Sequence, residues 1–168
     1  MAILYICVNT NIIMKKLLLF ILGVVFCGSL LHAQTDFYSR VKTLIKQTHP
    51  ELTLDNKLLA INVWQIDDET SRECNKNFEK VYNVYRVARL KGGLKGVVVV
   101  AVSLDNLSPT ATIAMNKDGV VNTLTFKAED VESGLDFKNV VFDSSGNEVY
   151  KDLRPSVVFS SIQQLITR

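Results

Sequence analysis

Apolar and polar residues follow one another along the chain in blocks of changing period, and each block predicts an element. Between Asp36 and Gln47, Phe37, Val41, Leu44 and Ile45 recur at helical spacing. His49-Pro50 ends that run, because the residue before a proline disfavours the helical region. Lys57 to Trp64 is a compact apolar run rich in branched residues, set between Asp55-Asn56 and Asp67-Asp68-Glu69, and predicts a buried strand. Thr70-Ser-Arg-Glu73 then reads as a capping box at a helix start, with three acids before it where negative charge suits the helix dipole. Cys74, Phe78, Val81, Tyr85 and Ala88 continue as one apolar stripe, while Arg72, Lys76, Glu79, Lys80 and Arg86 fall mostly elsewhere. This is the pattern of an amphipathic helix, and Gly92-Gly93 is its expected end.

Gly96 to Leu104 is apolar without alternation, as a central strand covered on both faces must be. With the preceding strand and helix it forms a βαβ unit, right-handed by the crossover rule. A helix is expected over Asp105 to Lys117, capped by Asn106 or Ser108, with Pro109 in its first turn. A further strand is expected over Val120 to Phe126 and a turn or short helix over Ala128 to Gly134. Asn139-Val-Val-Phe-Asp143, Ser144-Ser-Gly-Asn147 and Glu148-Val-Tyr150 predict a β-hairpin. Val158, Ile162 and Leu165 mark a last helix within Val157 to Thr167.

The first 33 residues do not fit this pattern. Lys15-Lys16 precede an apolar run from Leu17 to Leu31, and Ala33-Gln34 supplies a cut, so residues 1–33 read as a signal peptide region whose true start is Met14. The run is shorter than the roughly 20 residues a spanning helix needs, so cleavage would leave no stable membrane span. Cys27 is preceded by Phe26, where lipoprotein processing wants a small side chain. The expected product is exported, periplasmic or extracellular, and comprises residues 34–168 as a single domain.

Cleavage changes the available chemistry. Residues 34–168 carry 17 basic and 17 acidic residues, since Lys15 and Lys16 are the only charges before Gln34. That balance predicts neither nucleic acid nor an anionic membrane as partner. Cys7 and Cys27 would leave with the signal, as would His32, so Cys74 and His49 remain. An internal disulfide and a His/Cys metal cluster are both excluded for that product, and the sequence calls for no cofactor.

A βαβ half followed by a hairpin and helix resembles the thioredoxin-like superfamily, and in particular exported thiol-disulfide interchange proteins of redoxin type. Ile61-Asn-Val-Trp64 is similar to their asparagine-phenylalanine-tryptophan strand, Val102-Ser-Leu-Asp105 ends a strand like their next one, and Phe142-Asp-Ser-Ser-Gly-Asn-Glu-Val149 is similar to their hairpin. The resemblance implies an α/β class protein, a three-layer α/β/α fold around a mixed sheet of four or five strands. In that family a Cys-x-x-Cys motif opens the helix after the tryptophan. Those positions here are Asp68-Glu69-Thr70-Ser71, followed by Arg72 where the family often has a basic residue. The family's cis-proline, expected just before the strand at Val140, is also absent.

The expectation is therefore a thioredoxin-like domain without dithiol activity, a binding or accessory module for a protein or peptide. Its binding residues would be Trp64, Asp68, Glu69, Thr70, Ser71 and Arg72, around the loop Gln65 to Ser71. Alternatives stay open. Cys74 could be an inert core thiol or a monothiol activated near a helix N-terminus by Arg72, which would make the chain a relative of oxidoreductases that works through one cysteine. Asp67, Asp68 and Glu69 could hold calcium in a metal- or ligand-binding module, although no repeating ligand spacing accompanies them. Lys91-Gly-Gly-Leu-Lys-Gly96 follows a helix and precedes a strand, the reverse of a phosphate loop.

Overall fold

A computed structural model describes residues 37–105, 109–131 and 135–167. Residues 1–36, and with them the signal region and Met14, lie outside the described residues, as do the proposed caps Asn106 and Ser108. A first helix, α1, covers 37–48. It is followed by β1 (Leu58–Trp64), α2 (Glu69–Tyr85), β2 (Val97–Ser103), α3 (Pro109–Lys117), β3 (Leu124–Lys127) and the single turn α4 (Ala128–Val131). The hairpin β4 (Asn139–Phe142) and β5 (Glu148–Lys151) leads to α5 (Pro155–Gln163).

The five strands form one mixed sheet in the order β3-β2-β1-β4-β5. β1 and β2 run parallel from Leu58 opposite Val97 to Trp64 opposite Ser103, and β3 adds parallel to β2. β4 is antiparallel to β1, and β5 to β4. Every residue of β1 and β2 is buried, which is why both runs are apolar without alternation.

Both parallel crossovers step in the same direction across the sheet, so right-handedness puts α2 and α3 on one face. Packing agrees: Cys74, Phe78 and Val81 of α2 and Val158 and Ile162 of α5 meet Leu58, Ala60, Val97, Val99 and Val141. Ala111 and Met115 of α3 meet Trp64 and Ala101, whose strand parity is the same. α1 takes the other face, where the Tyr38 ring packs tilted, at 5.5 Å between centroids, against Phe142, the neighbour of Val141 that points the opposite way. The result is a three-layer α/β/α domain with a five-stranded sheet.

Two local readings are corrected. α2 stops at Tyr85, with the Arg86 amide donating to Tyr82 O, and not at Gly92-Gly93. Those glycines instead sit at φ 73° and 79° in a turn that reverses the chain between Arg89 and Lys95, which pair as an antiparallel bridge. Gly96 explains the early stop: a Cβ there would stand 2.1 Å from Arg86 O, so the chain leaving α2 and the chain entering β2 touch backbone to backbone. Glu79, read as part of the polar face, is buried. Its carboxylate accepts from the Asn122 amide and side chain and from Thr123 Oγ1 at 2.6–3.2 Å, tying α2 to the segment that enters β3.

Candidate functional site

The start of α2 lies at the carboxyl ends of the parallel strands. After Trp64 the chain turns with the Asp68 amide donating to Gln65 O, and Asp68 Oδ1 accepts the Thr70 amide at 3.0 Å. Asp68 is thus the N-cap, and the Thr70/Glu73 capping box does not form. Glu73 pairs with Lys76 instead. Ser71 Oγ donates to Asp68 O at 2.9 Å and accepts the Gln65 amide at 3.2 Å, locking the loop to the helix. Asp105 holds the same loop from β2's side by accepting the Ile66 amide at 2.7 Å.

Two asparagines lie beneath this turn. Asn62 of β1 and Asn139 of β4 are directly opposed in register, and each is 1% exposed. Asn62 Nδ2 donates to Ser71 O at 2.9 Å and to Asn75 Oδ1 at 2.8 Å, so a strand side chain fixes the first turn of the helix. Asn62 Oδ1 has no partner. Asn139 makes a two-way clasp with Leu153: Oδ1 accepts its amide and Nδ2 donates to its carbonyl, both at 2.9 Å. Asp152, at φ 52°, accepts the Lys138 amide at 2.7 Å, so the segments before β4 and after β5 close on each other.

Cys74 sits against this clasp, 3% exposed, with Asn139 Nδ2 3.6 Å and Leu153 O 3.8 Å from Sγ. Burial, with Asp68 and Glu73 adding negative charge nearby, pushes the thiol up to about 11. The Asn139 bond and the Lys138 charge favour a thiolate but do not outweigh burial, and the Arg72 guanidinium is engaged elsewhere in a two-pronged pair with Asp118 at 2.7 and 2.8 Å.

Between the start of α2 and the 152–155 segment lies a cavity of about 230 Å³, lined by residues that include Asn62, Asp68, Thr70, Ser71, Cys74, Lys138, Asn139 and Arg154. Of the residues expected from the sequence, Asp68, Thr70, Ser71 and Cys74 line this cavity. Glu69 and Arg72 stand outside it, and Trp64 packs under α3 at 1% exposure. Lys138, Asn139, Asp152, Leu153 and Arg154 were not singled out by the sequence. The only signal for them was an asparagine at the head of an otherwise apolar strand. Among the described residues no three His, Cys, Asp or Glu side chains converge as metal ligands would.

No family model and no curated protein matches the sequence. Solved structures do. The thioredoxin domain of a thiol-disulfide oxidoreductase from Bacteroides vulgatus superposes with a TM-score of 0.52 at 18% identity, over 67% of this chain and 81% of that one. A thiol:disulfide interchange protein from Bacteroides sp. superposes with a TM-score of 0.51 at 19% identity, over 66% and 73%. The chain has the thioredoxin-like fold. Within that fold it resembles thiol-disulfide proteins of redoxin type, yet its three cysteines, Cys7, Cys27 and Cys74, include no Cys-x-x-Cys pair.

Proposed function

We propose that this chain is an exported thioredoxin-like domain without dithiol activity that binds a protein or peptide at the cavity beside the start of α2. The observation that carries this reading is the fate of the motif positions. Asp68 and Ser71 stand where the two thiols would be, and both are engaged in capping and loop bonds. The one thiol in the domain is buried with its ionisation pushed up. A dithiol cycle needs two exchanging sulfurs, one of them a reachable thiolate. Export rests on the sequence of residues 14–33, and among the described residues no helix is long and apolar enough to cross a membrane.

Purified protein mixed with insulin and dithiothreitol should not accelerate insulin reduction, and measurable turnover would defeat the reading. Binding is tested by adding a reduced, alkylated polypeptide and following backbone amide shifts. Changes confined to 65–71 and 138–154 support it, and an unperturbed spectrum at saturating peptide refutes it. That Cys74 lines the cavity favours one competitor, a single-cysteine oxidoreductase. A thiol ionising near 11 reacts at neutral pH on the order of a hundredfold more slowly than an ordinary one. Labelling delayed until unfolding favours a core thiol, whereas rapid native labelling would favour that competitor.

A further inference from the structure

The charge balance of residues 34–168 conceals a local cluster of cations. Lys57 precedes β1, Arg86 follows α2, and Arg89, Lys91 and Lys95 belong to the turn between α2 and β2. All five stand where the parallel strands begin, at the opposite end from the cavity. Printed contacts knit them together. Arg89 bridges Lys95, Lys57 Nζ donates to Lys95 O at 3.4 Å, and the Thr167 amide donates to Arg89 O at 3.0 Å. Arg86, Arg89, Lys91 and Lys95 are exposed, and Lys57 is half-buried. Among the described residues none of the five is in an ion pair, and no acid occurs between Arg86 and Gly96. Asp55 is the acid next to them in sequence. Asp143 of the hairpin also falls at this end, opposite the start of β1. The other end mixes Asp67, Asp68, Glu69 and Asp105 with Lys117, Lys138 and Arg154, so what sets the basic end apart is its acid-free run from Arg86 to Gly96.

The same basic end presents Val87, 82% exposed, and Val84, 52% exposed. Beside them Arg89, Gly92, Gly93 and Lys95 line an open depression of about 490 Å³, and a Cβ built on either glycine would meet nothing within 4 Å. Clustered cations around a bare aliphatic side chain suit the headgroup layer of an anionic bilayer: phosphates meet the charges and the valine reaches the acyl boundary. An acidic polypeptide would satisfy the charges but would engage Val87 only with an apolar residue placed to reach it, whereas acyl chains meet it without any such spacing.

We propose that this end of the domain docks on anionic phospholipid headgroups, and so holds the cavity away from the membrane. The full chain is mixed with vesicles of phosphatidylcholine, with and without phosphatidylglycerol, and the ratio of the two partition coefficients is read by co-sedimentation. Using the ratio removes any uncharged contribution from the apolar segment 17–31, and comparing variants within the same chain cancels the charge of Lys15 and Lys16. The ratio should exceed one at low salt and collapse at high salt. Lys91→Gln with Lys95→Gln should lower it about 25-fold, roughly fivefold per cation. Lys117→Gln, an exposed cation of the other end, should leave it unchanged. Val87→Ser should weaken vesicle binding while sparing any binding to polyglutamate. Equal partition into both vesicle types, or a ratio untouched by the double variant, overturns the proposal. So does polyglutamate binding that depends on Lys91 and Lys95 while vesicle binding ignores Val87, since that pattern assigns the surface to an acidic polypeptide.

Discussion

At the tip of the β4–β5 hairpin nearly every constraint is local, the exception being Tyr38 Oη donating to Ser144 O at 3.0 Å, whereas at the β1–α2 junction almost every constraint comes from far along the chain. Asp143 is the local organiser of the turn: Oδ1 accepts the Ser145 and Asn147 amides at 2.8 and 2.9 Å, and Oδ2 accepts Asn147 Nδ2 at 2.9 Å. Gly146 supplies the φ of 84° that the turn requires. The junction instead depends on Asn62, Asn139, Leu153 and Asp105, brought together only by the folded sheet. A turn written in five consecutive residues can keep its shape through any change of function. A junction held by distant side chains keeps its shape only if those partners persist. Here the thiols of the resembling family are gone from the junction, and the polar scaffold under it holds the helix in place.

The largest effect should come from the junction. Asn139→Ala leaves the Leu153 amide and carbonyl without their partners, and at about 1–3 kcal/mol for each buried group left unpaired the domain should lose about 3 kcal/mol. Urea unfolding measures this directly. Cys74 should at the same time become faster to label, because the clasp that covers Sγ is gone. A loss under about 1 kcal/mol would mean that water replaces the asparagine at no cost and that the junction is not held as described. Next is Gly146→Ala. The left-handed conformation costs a residue with Cβ about 1–2 kcal/mol, and the new Cβ would stand 2.7 Å from the Tyr38 ring. A destabilisation of about 2 kcal/mol is expected. Part of it should be recovered when Tyr38→Ala is added, whereas strict additivity would show that the ring is not the obstacle.

The same contrast sets what the sequence could reveal. β1, β2 and the hairpin were legible because their signals lie within a few residues: unbroken apolar runs, then Asp-Ser-Ser-Gly-Asn. The thioredoxin-like architecture followed from the order of those elements. The cap was misassigned because Asp68 and Thr70 offer competing oxygens two residues apart, and only the backbone path from Gln65 decides between them. The end of α2 was placed too late because helical periodicity does not register the backbone contact between Arg86 and Gly96. Buried Glu79 was invisible, since its donors lie more than 40 residues away on Asn122 and Thr123. The cavity was half legible: its α2 wall follows from the motif register, but its 138–154 wall is assembled by strand pairing. The basic cluster was in view, since Arg86, Arg89, Lys91 and Lys95 lie within ten consecutive residues, and only Lys57 is added to it by strand pairing.

Asp68→Ala tests the cap at intermediate size. It should cost about 1 kcal/mol, the usual value for losing an N-cap oxygen. Thr70→Ala, if the capping box were real, would cost the same. In this structure it should cost little, so the ratio of the two losses identifies the cap.

Asp143 provides the smallest and most specific test, through pH. Burial pushes its carboxyl up, but the bonds from Asn147, Ser145 and Gly146 outweigh that and hold it below the ordinary carboxylate range. A carboxyl that ionises more readily folded than unfolded adds stability above its unfolded value, about 4, and loses it as pH falls through the lower folded value. Asp143→Asn keeps much of the turn's shape and removes the titration. Urea midpoints of wild type and variant, taken at steps from pH 6 down to pH 3, should therefore converge as the acid side is approached. Curves that stay parallel would show that the carboxylate charge contributes nothing to the turn. Convergence should leave a residual acid sensitivity common to both proteins, because Arg72 holds Asp118 low at the junction. Removing that remainder requires Asp118→Asn, so the two substitutions assign the acid response of hairpin and junction separately.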